Sequence, residues 1–96
     1  MPDLNSLAAS VAEVLKESNQ NLAVAESSAG GLISAALLAI PGASAYYVGG
    51  AVIYTRAAQQ ELLAVADATM ADMRASTEPY ALLNARTIRD ALGATW

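Results

Sequence analysis

Between Leu22 and Pro41 the chain reads "LAVAESSAGGLISAALLAIP", and this segment decides the fold class. The five residues "LAVAE" at 22–26 form a short apolar run consistent with a buried strand. "SSAGG" at 27–31 is a turn of small residues, and the segment beyond it continues as a helix to Ile40, where Pro41-Gly42 stops it. That helix is apolar nearly all round, so the reading expects it to be covered on more than one side. A strand running through a tight turn into a helix is a building unit of α/β proteins.

The rest of the chain fits around this unit. Leu4, Leu7, Ala8, Val11, Val14 and Leu15 recur at helical spacing, with Pro2 and Asp3 suited to a helix start and "ESNQN" at 17–21 ending it. Val48, Val52 and Ile53 beside Tyr46 and Tyr47 read as a second strand over roughly 46–54, with Gly49-Gly50 marking a bulge or a close backbone approach. Thr55 caps a helix through Leu63, Thr69 starts a short helical turn, and Thr77-Glu78-Pro79 opens a helix carrying Leu82, Ala85, Ile88 and Leu92. The order is α-β-α-β-α-α, one domain over residues 1–96 without linker or repeat. Two strands alone make a poor sheet, so a further part of it is expected.

Composition narrows the chemistry. The chain is 55% hydrophobic but contains no phenylalanine, so its core rests on close packing of small side chains. A 96-residue chain buries only about 60–65% of its unfolded surface, which makes self-association an expectation. Net charge is −4, and the five basic residues are dispersed, so no nucleic-acid partner is expected. Without cysteine or histidine there is no thiol nucleophile, no imidazole base and no zinc site of the usual kind. "MPDLNSLAAS" carries an acid where a secretory signal would be basic, and residues 31–40 are too few to cross a bilayer of about 30 Å; a cytoplasmic protein without membrane contact is expected.

Two stretches carry candidate chemistry. In "AESSAGGL" the strand ends at a serine- and glycine-rich turn whose amide N–H groups suit a phosphate or carboxylate. Ser27 stands at the strand's carboxyl end, where α/β folds place ligands, and Ser28 is equally suited to cap the next helix. Glu26 is either a carboxylate held by those N–H groups or an acceptor for a ligand hydroxyl. In "PGASAYYVGGAVIY" the candidates are Ser44 and Tyr54, which ten residues of straight strand would hold about 33 Å apart. They meet only through a bend at Gly49-Gly50, a folded-back loop or a second subunit. Tyr46 and Tyr47 suit packing, and Arg86, Arg89 and Asp90 suit a solvated face.

Taken together, "AESSAGGLISAALLAIPGASAYYVGGAVIYTRAAQQELLAV" and "STEPYALLNARTIRDAL" resemble the C-terminal domain family of competence/damage-inducible protein CinA, the nicotinamide-nucleotide amidohydrolases. The resemblance covers nearly the whole chain. It implies a three-layer α/β/α domain with a mixed sheet, of which this chain supplies about the first half, and usually a homo-oligomer of two or more copies. It also implies hydrolysis of the carboxamide of nicotinamide mononucleotide to nicotinate mononucleotide and ammonia, with neither metal nor other cofactor. The family is thought to use a serine–lysine pair, in which a neutral amine takes the serine proton and backbone N–H groups hold the oxyanion.

Carried over residue by residue, the resemblance makes Ser44 the first choice for the nucleophile, with Tyr54 as its partner and Ser27 as the rival. Glu26, Ser28, Gly30, Gly31, Gly42 and Gly50 become the substrate-binding positions. The lysine position falls on Gln59, which cannot serve as a base, and Arg56 nearby stays protonated. The family's usual "CTGG" is Ser28-Ala29-Gly30-Gly31 here, and its domain runs well past the equivalent of Trp96. The readings are therefore an impaired amidohydrolase or a noncatalytic nucleotide-binding or assembly module on the same scaffold.

Overall fold

A computed structural model describes residues 3–96; Pro2, read above as part of the helix start, lies outside the described residues. Helix α1 spans Leu4–Ser18, and the Asp3 carboxylate accepts from the Ser6 N–H at its start. Asn19 ends it in the left-handed conformation. Strand β1 (Leu22–Glu26), helix α2 (Leu32–Leu38), a 3₁₀ turn (Ala43–Ala45) and strand β2 (Tyr47–Val52) follow. Helices α3 (Arg56–Leu63), α4 (Asp67–Met70) and α5 (Glu78–Leu92) complete the chain. Thr55 and Thr77 cap α3 and α5 through their hydroxyls, as their residue types suggest.

The two strands pair in parallel, with α2 as the crossover. No antiparallel partner occurs among the described residues, so the mixed character expected of the sheet is not seen in this chain. The register runs from Leu22 opposite Tyr47 to Glu26 opposite Val52, with one irregularity that skips Val48. The bulge thus lies one residue before the glycine pair, and it resets the alternation so that Gly49, Ala51 and Ile53 share a face. On the other edge of β1, the Trp96 N–H donates to the Asn21 carbonyl (3.1 Å) and its carbonyl accepts from Ala23 (2.9 Å).

Helices cover both faces of the sheet. Leu22, Val24 and Tyr47 point towards α1 and α2, packing with Ala8, Ala36 and Leu37. Tyr46, fully buried, lies with Ala12 and Leu15 and donates its hydroxyl to the Leu37 carbonyl. Ala23, Ala25 and Ala51 point the other way, under Ile53, Leu63, Val65 and Ile88. These small residues let α5 come close: a Cβ on Gly49 would stand 3.2 Å from Leu92 Cδ1. The result is the three-layer α/β/α arrangement expected above.

Three local expectations change. Helix α2 ends at Leu38 rather than Ile40, and Leu32, Ile33 and Leu38 are exposed, so it is covered on one side only. The second strand is shorter than 46–54, because Tyr46 is drawn into the core by the 3₁₀ turn. The short helix starts at Asp67, two residues before Thr69.

Candidate active site

The strand alternation that builds the core also sorts the residues at the carboxyl end of β1. Glu26 continues the face of Leu22 and Val24 and is directed towards α2. Its two oxygens accept from the Ile33 and Ser34 N–H groups, each at 2.9 Å. Burial pushes the carboxyl pKa up, but the N–H bonds from Ser34 and Ile33 outweigh it and leave the group below the usual carboxylate range. Glu26 therefore caps α2 from a distance, and both oxygens are already engaged. The N-cap residue is Gly31 at φ +99°, which offers no side chain; the cap suggested for Ser28 is not formed.

Ser27, next along the chain, turns to the α5 side. There it lines a cavity of about 410 Å³ with Ala25, Ser28, Thr77, Tyr80 and Asn84. That volume falls within the range of small-molecule sites. No basic residue lines it, while Glu26 and Glu78 do. Gly30 sits in the bordering turn at φ +64°, with nothing within 4 Å of where a Cβ would be, so the backbone is open to approach there.

Gln59 stands directly behind this wall and is wholly buried. Its Nε2 donates to Asn84 Oδ1 at 2.7 Å, and its Oε1 accepts from Arg56 Nη1 at 3.3 Å. Arg56 is fixed in turn by the Val65 carbonyl and by Asp67, both at 2.9 Å. The position that the resemblance gives to lysine is thus one side chain removed from the cavity.

The other expected residues are elsewhere. Ser44 is exposed on the 3₁₀ turn that enters β2, at the opposite end of the sheet from Glu26 and Ser27. The strand Tyr47–Val52 alone puts about 16 Å between that end and the one where Tyr54 emerges. Within one chain Ser44 therefore meets neither Tyr54 nor Gln59. Tyr54 is 76% exposed. Gly42 lies beside Lys16, whose ammonium donates to the Pro41 carbonyl at 3.1 Å. Gly50 lies exposed in β2, where its missing side chain makes room for the Tyr47 hydroxyl.

The sequence reading places neither Asn84 nor Tyr80 in a site, and it reads Thr77 only as a helix start. A signal was available: Tyr80, Asn84 and Ile88 form one buried stripe of α5, and Asn84 is the polar interruption in it. No group of three acidic side chains among the described residues is placed to hold a metal ion. No helix among them is long and apolar enough to cross a membrane.

Helices on both faces of a parallel strand pair, with a cavity at the strands' carboxyl end, define an α/β/α domain whose cavity lies where such folds place ligands. The chain belongs to the CinA C-terminal domain family, whose pattern matches residues 4–96. It is 42% identical over 94 residues to a CinA-like protein of Synechococcus sp. (strain CC9902), covering 98% of this chain and 22% of that relative. It is 41% identical over 85 residues to a putative competence-damage inducible protein of Desulforamulus reducens, covering 88% and 21%. The crystal structure of competence damage-inducible protein A from Klebsiella pneumoniae superposes with a TM-score of 0.88 at 31% identity, covering 97% of this chain and 58% of that one. The competence/damage inducible protein of Agrobacterium tumefaciens gives 0.86 at 31% identity, covering 98% and 57%. The chain thus spans about a fifth of the curated relatives it matches and somewhat over half of the solved chains.

Proposed function

We propose that this chain binds a nicotinamide mononucleotide-like ligand in the cavity at the end of β1, and that amide hydrolysis is impaired in it. The observation that carries this reading is Gln59: it is fully buried, neutral, and bonded at both heteroatoms to Arg56 and Asn84. A serine becomes a useful nucleophile only with a base beside it, and neither a glutamine nor a salt-bridged arginine supplies one. Glu78, on the cavity's border, suits the cationic pyridinium ring of such a ligand, and with no basic residue in the lining its phosphate is expected to lie outside the cavity.

Ser27, Ser28 and Ser76 line this cavity within one chain, Ser27 being the one at the strand end; Ser44 joins it only from a second copy. Ammonia release from nicotinamide mononucleotide, measured beside a calorimetric titration with the same compound, tests the reading. Binding with ammonia release near the detection limit is the expected result. Turnover at the rate of an ordinary amidase would refute the impaired chemistry, and absence of binding would refute the ligand. If residual turnover is found, its loss in Ser27→Ala or in Ser44→Ala identifies the serine.

A further inference from the structure

The Arg56–Gln59–Asn84 relay ends at the cavity, and its polarity is fixed from its far end. A guanidinium has donors only, so the Gln59 atom facing Arg56 is the amide oxygen. The Gln59 nitrogen must then face Asn84, and the Asn84 atom that receives it is the oxygen. Asn84 is only 4% exposed, and that exposure opens on the cavity. Its nitrogen donates to no group among the described residues. It is not sealed in the core either, since no fully buried side-chain nitrogen or oxygen is left without a partner.

We propose that Asn84 is a ligand-binding residue that presents its NH₂ group to the cavity as an obligatory hydrogen-bond donor, and that Gln59 is the positioning residue that sets this polarity. The group received is an acceptor oxygen, the carbonyl of a carboxamide or one oxygen of a carboxylate. The choice of nicotinamide and nicotinate heads as probes rests on the ligand class proposed above. Both heads present an oxygen to this donor. They differ only if the polarity is reversed, because a carboxamide can turn its NH₂ inward and a carboxylate has nothing to donate.

Gln59→Glu makes that reversal without touching the cavity wall. The new carboxylate still accepts from Arg56, and it can only accept from Asn84, which must rotate and show its oxygen to the cavity. The affinity ratio of nicotinamide to nicotinate mononucleotide, measured by calorimetry, should then move towards the amide by about tenfold or more, as for a buried acceptor facing a carboxylate. Asn84→Asp, which keeps the bond from Gln59, should shift the ratio the same way and serves if Gln59→Glu does not fold. Equal weakening of both mononucleotides in the variants, or an unchanged ratio, would mean that the relay is structural only and would overturn the proposal.

If the wild-type chain binds neither mononucleotide, the nucleotide reading fails and bare nicotinate and nicotinamide become the probes. A shift of the Asn84 side-chain amide pair in nitrogen–proton NMR spectra on adding nicotinate then supports the donor, and no shift with either compound overturns it.

Discussion

Replacing Glu26 by glutamine should separate the scaffold from the site. The carboxylate is buried and holds two α2 N–H groups at 2.9 Å each. Hydrogen bonds to a charged acceptor contribute about 1.5–3 kcal/mol each, so removing one, weakening the other and setting an amide NH₂ against a backbone N–H should cost about 2–4 kcal/mol. That is a large part of the roughly 5–14 kcal/mol available to a domain of this length. In a thermal melt followed by circular dichroism it should appear as a fall in Tm of roughly 8–30 °C. The pH dependence carries the same information. The folded-state pKa lies below the ordinary value of 4.5, so the stabilisation is complete above that value and is lost as pH falls through the folded one. Asp3, lowered by its bonds to Ser6, titrates in the same direction. The difference between wild type and Glu26→Gln therefore isolates Glu26. It should be greatest at neutral pH and shrink below about pH 4.5. A variant within about 0.5 kcal/mol of wild type at pH 7, the size of an ordinary surface substitution, would refute the capping argument.

Other perturbations read other parts of the fold. Gly50→Ala should cost about 1–3 kcal/mol in urea denaturation. Its Cβ would meet the Tyr47 hydroxyl at 2.5 Å and the Val24 carbonyl at 2.8 Å, and the second is backbone that cannot swing aside. Thr55→Ala removes the oxygen that accepts from Ala58 at 3.1 Å and should cost about 1 kcal/mol by the same assay. Gln59→Lys puts an ammonium into a buried site beside Arg56; it should destabilise by about 3 kcal/mol or more and should not raise ammonia release. Light scattering at micromolar concentration should find a self-associated species, because Leu4, Leu7, Val11 and Val14 form an exposed apolar stripe along α1 and α2 leaves Leu32 and Leu38 uncovered. A well-folded monomer would contradict that expectation.

The sequence shows the frame of this molecule more clearly than the contents of its cavity, and the difference has a physical cause. Elements declare themselves locally: the run Leu22–Glu26, the stop at Pro41-Gly42 and the Thr77-Glu78-Pro79 entrance each need only a few neighbouring residues. The threonine caps and the two strands follow from such signals. The face on which each residue lands is set by phase, and phase is set by the irregularity at Val48. Without that extra residue, Gly49 and Ala51 would turn towards α2 and the surface under α5 would be lost. The same phase separates two neighbours in "ES", sending the Glu26 carboxylate to a helix start and the Ser27 hydroxyl to the cavity. Gln59 and Asn84 are harder still to read, being 25 residues apart and joined only when α3 and α5 pack together. The resemblance marks position 59 only for the base it lacks; its burial between an arginine and an asparagine, on which the proposed donor polarity rests, shows only in the packed structure. On the proposal above, what the end of this sheet can bind depends less on which polar residues the chain contains than on which atom of Asn84 the Arg56–Gln59 pair turns to the cavity.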